Sequence, residues 1–280
     1  MQKIAEAGSE HFQNGADNYA AYLGTPDGRL RSDLAFAHLQ DFLPLPENER
    51  PLLALDLGGG TGAAAVRLAR LGINVTLLDS SPAMLEIAKR AAGEAGLDGK
   101  ITLKLGDAAQ VANLFSARSF DIVLCHNILE YVDDPSAVLL AAARVMRSDS
   151  SGTGILSILV RNRAGEVLKA GITAGDLVAA ERNLTAAWGN ESLFGGRARL
   201  FTLDSLQALT KCASLAVVAE RGVRVISDYL APQISRREEY VRIFELERKL
   251  GSRPEFSVIA RYIQVIARHS RTLSSKEAGS

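Results

Sequence analysis

From Pro51 onward, short aliphatic and β-branched runs alternate with segments of helical pattern, and this alternation constrains the fold more than any other feature of the chain. The apolar runs are Leu52–Leu57, Asn74–Asp79, Ile101–Leu105, Phe120–His126 and Gly154–Val160, and helices are predicted to begin near Thr61, Pro82, Ala108 and Pro135. Runs that are apolar throughout suit strands covered on both faces. Strand then helix, repeated, predicts a parallel sheet wrapped by right-handed crossovers. Ser81 before Pro82 is a good helix start, because its hydroxyl can cap free amides and proline is tolerated at the first helical position.

The flanks differ. The first fifty residues read as two helices, with Gly24-Thr25-Pro26-Asp27-Gly28 as a turn between them and Pro44 and Pro46 closing the second. After the fifth run the alternation breaks, and residues 161–203 form an insertion with helical stretches, Trp188 and the pair Gly195-Gly196, read as a cap over the carboxyl edge of the sheet. A helix near Asp204–Cys212, a strand across Leu215–Val225, a charged helix over Arg236–Leu250 and a last strand over Phe256–Arg268 follow, with a polar tail from His269.

At 280 residues and 47% apolar content, the chain can bury a sizeable core in one large domain or two small ones. Two cysteines, Cys125 and Cys212, are too few for a disulfide framework or a thiolate metal site, which points to a reducing compartment and a cytoplasmic protein. The four histidines lack ligand spacing, so no metal is expected. No run approaches the ~18 apolar residues of a membrane span, and the first residues carry no apolar signal region. The balance of 32 basic and 32 acidic residues excludes a whole-molecule grip on nucleic acid, but it is a cancellation between regions: net −6 over residues 1–150 and +6 over 151–280. A local anionic acceptor, tRNA included, stays open.

Asp56-Leu57-Gly58-Gly59-Gly60-Thr61-Gly62 lies between the first strand and the first helix of the series, where glycines let a ligand approach the backbone and a helix N-terminus presents free amides. Asp79 closes the second strand 21 residues after Gly58, placed to accept hydrogen bonds from ribose hydroxyls. Gly106-Asp107-Ala108 ends the third strand and His126 the fourth. Cys125, on the opposite face by alternation, reads as core. The loop departs from the Gly-x-Gly-x-x-Gly of nicotinamide enzymes.

These features, in this order, resemble the class I S-adenosylmethionine-dependent methyltransferases over residues 51–160. The resemblance implies a Rossmann-like α/β fold, with a seven-stranded, mostly parallel sheet, helices on both faces and an inserted cap. It implies S-adenosylmethionine as cofactor, with Gly58, Gly59 and Gly60 against it, Asp56 supporting the loop or the amino group, Asp79 and Ser80 at the ribose, Asp107 and Ala108 flanking the adenine and His126 lining the methionine end. A buried strand-end histidine satisfied by backbone is the competing reading of His126.

The flanks carry a narrower resemblance. Gly24–Arg31, Gly222–Leu230 and Arg261-Tyr262-Ile263 are similar to the tRNA 5-carboxymethoxyuridine methyltransferase family, a match of roughly residues 10–268. It implies that Arg31 contacts the cofactor, that residues 1–50 close over the cofactor site, that residues 51–268 form the methyltransferase domain and that 269–280 are a flexible tail. Where that family has a strongly basic stretch, Gly189–Arg199 offers two arginines beside a glutamate, as a relative adapted to a small carboxylate would. The acceptor is thus tRNA or a small anionic molecule, with O- or N-methylation of a metabolite as the alternative. Arg199, Arg224, Tyr229 and Arg261 are the candidate acceptor contacts. A carboxylate acceptor is already ionised at pH 7, so no catalytic base is expected; for a hydroxyl acceptor His126 is the candidate base. A non-catalytic module on the same fold and a nicotinamide oxidoreductase are the competing functions.

Overall fold

The computed structural model describes residues 15–45, 50–148, 154–191 and 193–270. Its centre is a seven-stranded sheet in the order β3-β2-β1-β4-β5-β9-β8. Strands β1 (Leu53–Leu57), β2 (Asn74–Asp79), β3 (Ile101–Leu105), β4 (Ile122–His126) and β5 (Ile155–Arg161) run parallel, while β8 (Leu215–Val223) and β9 (Tyr262–His269) close the sheet antiparallel. Strands β1, β4, β5 and β9 are buried along most of their length: Leu55, Leu57, Ile122, Val123, Leu124, Ile158 and Val160 are fully enclosed, which is why these runs show no polar alternation. Each such side chain contributes about 1.5–3 kcal/mol on leaving water. Cys125 is core, as its strand position predicts.

Helices α3 (Ala63–Arg70), α4 (Pro82–Glu94), α5 (Val111–Leu114) and α6 (Pro135–Val145) make the crossovers. Ser81 caps α4 by accepting from the Met84 amide at 3.3 Å. The helix expected at Ala108 opens instead as a 3-10 turn over Ala108–Gln110, because the Asp107 side chain accepts from Ala109 N at 2.8 Å and tightens the turn.

The N-terminal region is helical over α1 (residues 15–24) and α2 (Pro26–Gln40). The turn expected over Gly24–Gly28 shrinks to Thr25. Its hydroxyl accepts from Gly28 N at 3.1 Å, and Pro26 takes the first helical position, so Pro26-Asp27-Gly28 form the first turn of α2. Pro44 lies beyond the end of α2, and Pro46 lies outside the described residues.

The insertion after β5 carries α7 (Arg163–Leu168), a π-helical turn over Lys169–Thr173, α8 (Leu177–Asn183) and a two-stranded hairpin of β6 (Trp188–Asn190) and β7 (Arg197–Arg199), whose Gly195 and Gly196 adopt φ of 75° and 90°. Helix α9 (Leu203–Cys212) precedes β8, and α10 (Tyr240–Gly251) and α11 (Pro254–Ser257) precede β9. Three expected boundaries move. Strand β8 stops at Val223 because Arg224 turns into the left-handed region at φ 62°. The charged helix starts at Tyr240, and Phe256 belongs to α11, so the last strand begins only at Tyr262. His269 is not tail but the last residue of β9, in register with Leu215; residues 271–280 lie outside the described residues.

The strand order reverses between β1 and β4, and open sheets of this kind bind ligands outside the carboxyl ends of their strands at such a point. Because β9 runs antiparallel, it begins at that same edge: Arg161, Tyr262 and Val223 stand in one register row.

Candidate active site

A cavity of about 1400 Å³ opens along this edge. On one side it is lined by Asp56, Gly58, Gly59, Gly60, Asp79, Ser80, Asp107, Ala108 and His126, each set there by the end of a parallel strand. Gly58 has φ 63°, and a Cβ there would sit 2.4 Å from Ile128 Cδ1, so the loop requires glycine at that position. Asp79 accepts from Gly60 N at 2.9 Å and Ser81 N at 2.8 Å, which ties the loop to the end of β2. Burial raises the Asp79 pKa, with these amides and that of Ser80 pulling the other way. Burial, with the Asp79 charge added, pushes Asp56 up to about 7. Its Oδ2 is enclosed without a hydrogen-bond partner.

Above the strand ends stands Arg31 of α2, buried, donating to the Tyr19 hydroxyl at 2.8 Å and lying 5.1 Å from the Tyr22 ring and 5.6 Å from the Tyr262 ring. Among the described residues it has no carboxylate partner. Tyr19 packs on Phe194 of the insertion at 5.3 Å between ring centroids, so α1 meets the cap over the cavity.

His126 is satisfied by a side-chain chain rather than by backbone. Gln264 Nε2 donates to the Ala35 carbonyl at 2.9 Å and to Ser157 Oγ at 3.1 Å, so its Oε1 faces His38 Nδ1 at 3.1 Å, the nitrogen that carries the proton. Ser157 Oγ in turn lies 2.8 Å from His126 Nε2 and holds the ring at the strand end. Burial first, and Arg31 second, lower the His126 pKa to about 4. A ring kept neutral in this way is a weak base at pH 7.

The far end of the cavity is rich in cations. Arg161 pairs with Glu166 and, at 2.8 Å, with Glu191; Arg224 pairs with Asp228 and, at 3.5 Å, with Asp27; Arg261 pairs with Glu166 at 2.7 Å and Asp228 at 3.7 Å. Tyr262 stands among them. Burial alone would raise its pKa, but Arg31, Arg261, Arg224 and Arg161 hold it below the usual phenol value. Lys169, on the π-helical turn, makes no ion pair among the described residues, and Arg261 beside it, then burial, lower its pKa.

Residues 55–152 match the protein family described as "Methyltransferase domain". The chain carries an S-adenosylmethionine-dependent methyltransferase domain. The methyltransferase is 28% identical to the tRNA 5-carboxymethoxyuridine methyltransferase of Escherichia coli strain K12, over 92% of this chain and 95% of that one. It is 33% identical to the ubiquinone biosynthesis O-methyltransferase of Xanthomonas axonopodis pv. citri, over only 41% of this chain and 46% of the relative. Its fold is that of a possible histamine N-methyltransferase from Thermotoga maritima, at a TM-score of 0.61 and 17% identity over 94% of this chain and all of that one.

The residues present fit S-adenosylmethionine: an unpartnered carboxylate oxygen on Asp56 and a buried guanidinium on Arg31 lacking a counter-ion face the same cavity as the glycine loop and Asp79. Of the sequence candidates, Arg224 and Arg261 line the cavity, but Arg199 and Tyr229 do not. Arg199 is drawn over the Trp188 ring at 4.6 Å, and Tyr229 sits in a 3-10 turn behind Asp228 with its hydroxyl buried. Sequence reasoning missed Arg161, Lys169, Tyr22 and Tyr262; the strand-end position of Arg161, shared with His126, was the available signal.

The raised Asp56 pKa has a stability consequence. Its folded-state value lies above the ordinary carboxylate value of 3.8, so Asp56 contributes stability below about pH 4 that the ligand-free methyltransferase loses as pH rises through about 7. Asp56→Asn is therefore expected to raise the melting temperature of the ligand-free protein at pH 8 and to change it little at pH 4. Thermal scans at both pH values check this; equal shifts at the two would contradict the assignment.

Proposed function

We propose that the enzyme esterifies the carboxylate of 5-carboxymethoxyuridine in tRNA. One observation carries this reading: Lys169, which makes no ion pair among the described residues, and Arg261 both line the cavity, where an acceptor anion would meet two cations, while His126, held neutral by burial, is a weak base. A carboxylate needs no deprotonation, whereas a hydroxyl or amine acceptor would need a base. The full-length similarity to tRNA 5-carboxymethoxyuridine methyltransferases supports it, since the small-molecule O-methyltransferase matches less than half of either chain.

When bound, S-adenosylmethionine supplies an electrophilic methyl group on a sulfonium. The chain's own work is positioning and water exclusion for an in-line displacement. Arg31 holds the methionyl carboxylate with a guanidinium fork. Asp79 accepts from the ribose hydroxyls, Asp107 and Ala108 flank the adenine, and Asp56 faces the amino group. Neutral His126 lines the methyl-bearing end without adding a positive charge there. Arg261, Arg224 and Lys169 orient the acceptor carboxylate, and α1 and α2 close against the cap. A tRNA acceptor places the enzyme in the cytoplasm; among the described residues no helix is long and apolar enough to cross a membrane.

Methyl-labelled cofactor offered to bulk tRNA and to a metabolite extract tests the reading. Label is expected in tRNA; label only in small molecules would overturn it. Lys169→Met is expected to raise KM for tRNA about tenfold, the loss of one charge-assisted contact of ~1.4 kcal/mol, with S-adenosylhomocysteine affinity unchanged in calorimetry.

A further inference from the structure

The hairpin of β6 and β7 presents an aromatic and cationic face that the site described so far does not use. Trp188 is in register with Arg199 and Asn190 with Arg197, so these four side chains share one face by strand alternation, while Ala198 on the other face is fully buried. Trp188 is 36% exposed. The Arg199 guanidinium lies 4.6 Å from the Trp188 ring centroid and that of Arg197 5.6 Å.

Neither guanidinium makes an ion pair among the described residues. Glu191, which the sequence places beside them, is engaged elsewhere: it accepts from Arg161 Nη1 at 2.8 Å and from the Tyr131 hydroxyl at 3.0 Å. The two arginines thus keep their charge, and the glutamate that made this stretch look poorly suited to nucleic acid does not neutralise it. Trp188 and Arg197 also line the cavity.

An indole beside two guanidiniums that lack a counter-ion among the described residues matches an unpaired nucleotide, whose base stacks on the aromatic ring and whose phosphate pairs with a guanidinium. We propose that Trp188, Arg197 and Arg199 form a stacking platform for an unpaired nucleotide adjoining the one that is methylated, so that the partner is a single-stranded RNA loop. This rests on the tRNA reading of the acceptor site and extends it to a second contact.

Trp188 is the single tryptophan of the chain, so fluorescence of the full-length protein excited selectively at tryptophan, apart from the six tyrosines, reports on this face. Titration with a stem–loop RNA carrying an anticodon-type loop is expected to quench it saturably, with an affinity that falls as salt rises, and a blunt duplex of the same length is expected to quench far less. Trp188→Ala is expected to raise KM for tRNA at least about tenfold, in line with the ~1–3 kcal/mol of a base–aromatic stack, and Trp188→Phe to restore most of it. S-adenosylhomocysteine affinity, unchanged in both variants, shows that they fold. Methylation of tRNA with Trp188 fluorescence unaltered, or with an unchanged KM in Trp188→Ala, overturns the platform and leaves the tRNA reading standing. Quenching by the stem–loop without methyl transfer to any tRNA removes the ester reading and keeps the platform.

Discussion

Replacing Arg31 with methionine is expected to weaken S-adenosylhomocysteine binding by about a hundredfold, because a guanidinium and a carboxylate paired out of water lose roughly 3 kcal/mol or more when one partner is removed. The same change is expected to leave the ligand-free protein as stable as before or more so. Arg31 is 6% exposed and ringed by Tyr19, Tyr22 and Tyr262, with no carboxylate among the described residues to offset its desolvation. A methionine of similar length fills the space without that cost. An arginine held only for structure would show the reverse: a lower melting temperature and unchanged calorimetric affinity.

Glu247→Ala is expected to produce the largest loss of stability outside the hydrophobic core. Its carboxylate, fully buried on α10, accepts from the amides of Val225 at 2.6 Å, Ile226 at 3.0 Å and Ser227 at 2.7 Å. Truncation strands three amides at about 1 kcal/mol or more each, a drop in melting temperature on the order of 10 °C for a chain of this size. The loop it clamps lies between Arg224, held at φ 62°, and Asp228, the carboxylate that pairs with both Arg224 and Arg261. KM for the acceptor is therefore expected to rise while S-adenosylhomocysteine affinity holds. Glu247→Gln keeps one acceptor oxygen, and its loss should fall between the wild type and alanine. Thermal scans with calorimetry and initial-rate measurements read all three quantities.

These two residues mark where sequence reading stops. The parallel strands were legible because burial on both faces removes polar residues from a run, and the glycine loop, Asp79, Asp107 and His126 followed because each sits at a strand end. Arg31 came from the flank resemblance, not from its pattern on α2. Glu247 lies on a helix whose charges all look solvated, and only the distant loop of residues 225–227 gives it a role. Arg161 and Arg261 share Glu166 across about a hundred residues of chain, a meeting that no local spacing encodes. Glu191 misled for the same reason: adjacency in sequence to Arg197 and Arg199 suggested neutralisation, whereas β-alternation and the pull of Arg161 send its charge inward. The turn at Gly24–Gly28 failed on local chemistry, because proline followed by aspartate and glycine serves a helix start as well as a turn once a threonine cap precedes it.

The central claim is that the accepting atom is a carboxylate oxygen of a tRNA nucleoside. Its most direct test is mass spectrometry of nucleosides digested from tRNA after incubation with the enzyme and S-adenosylmethionine, with and without mild alkali. A carboxymethoxyuridine one methyl group heavier is expected, returned to the parent mass by alkali as the ester hydrolyses. A methylated nucleoside that survives alkali, or an unchanged tRNA beside a methylated metabolite, would contradict it.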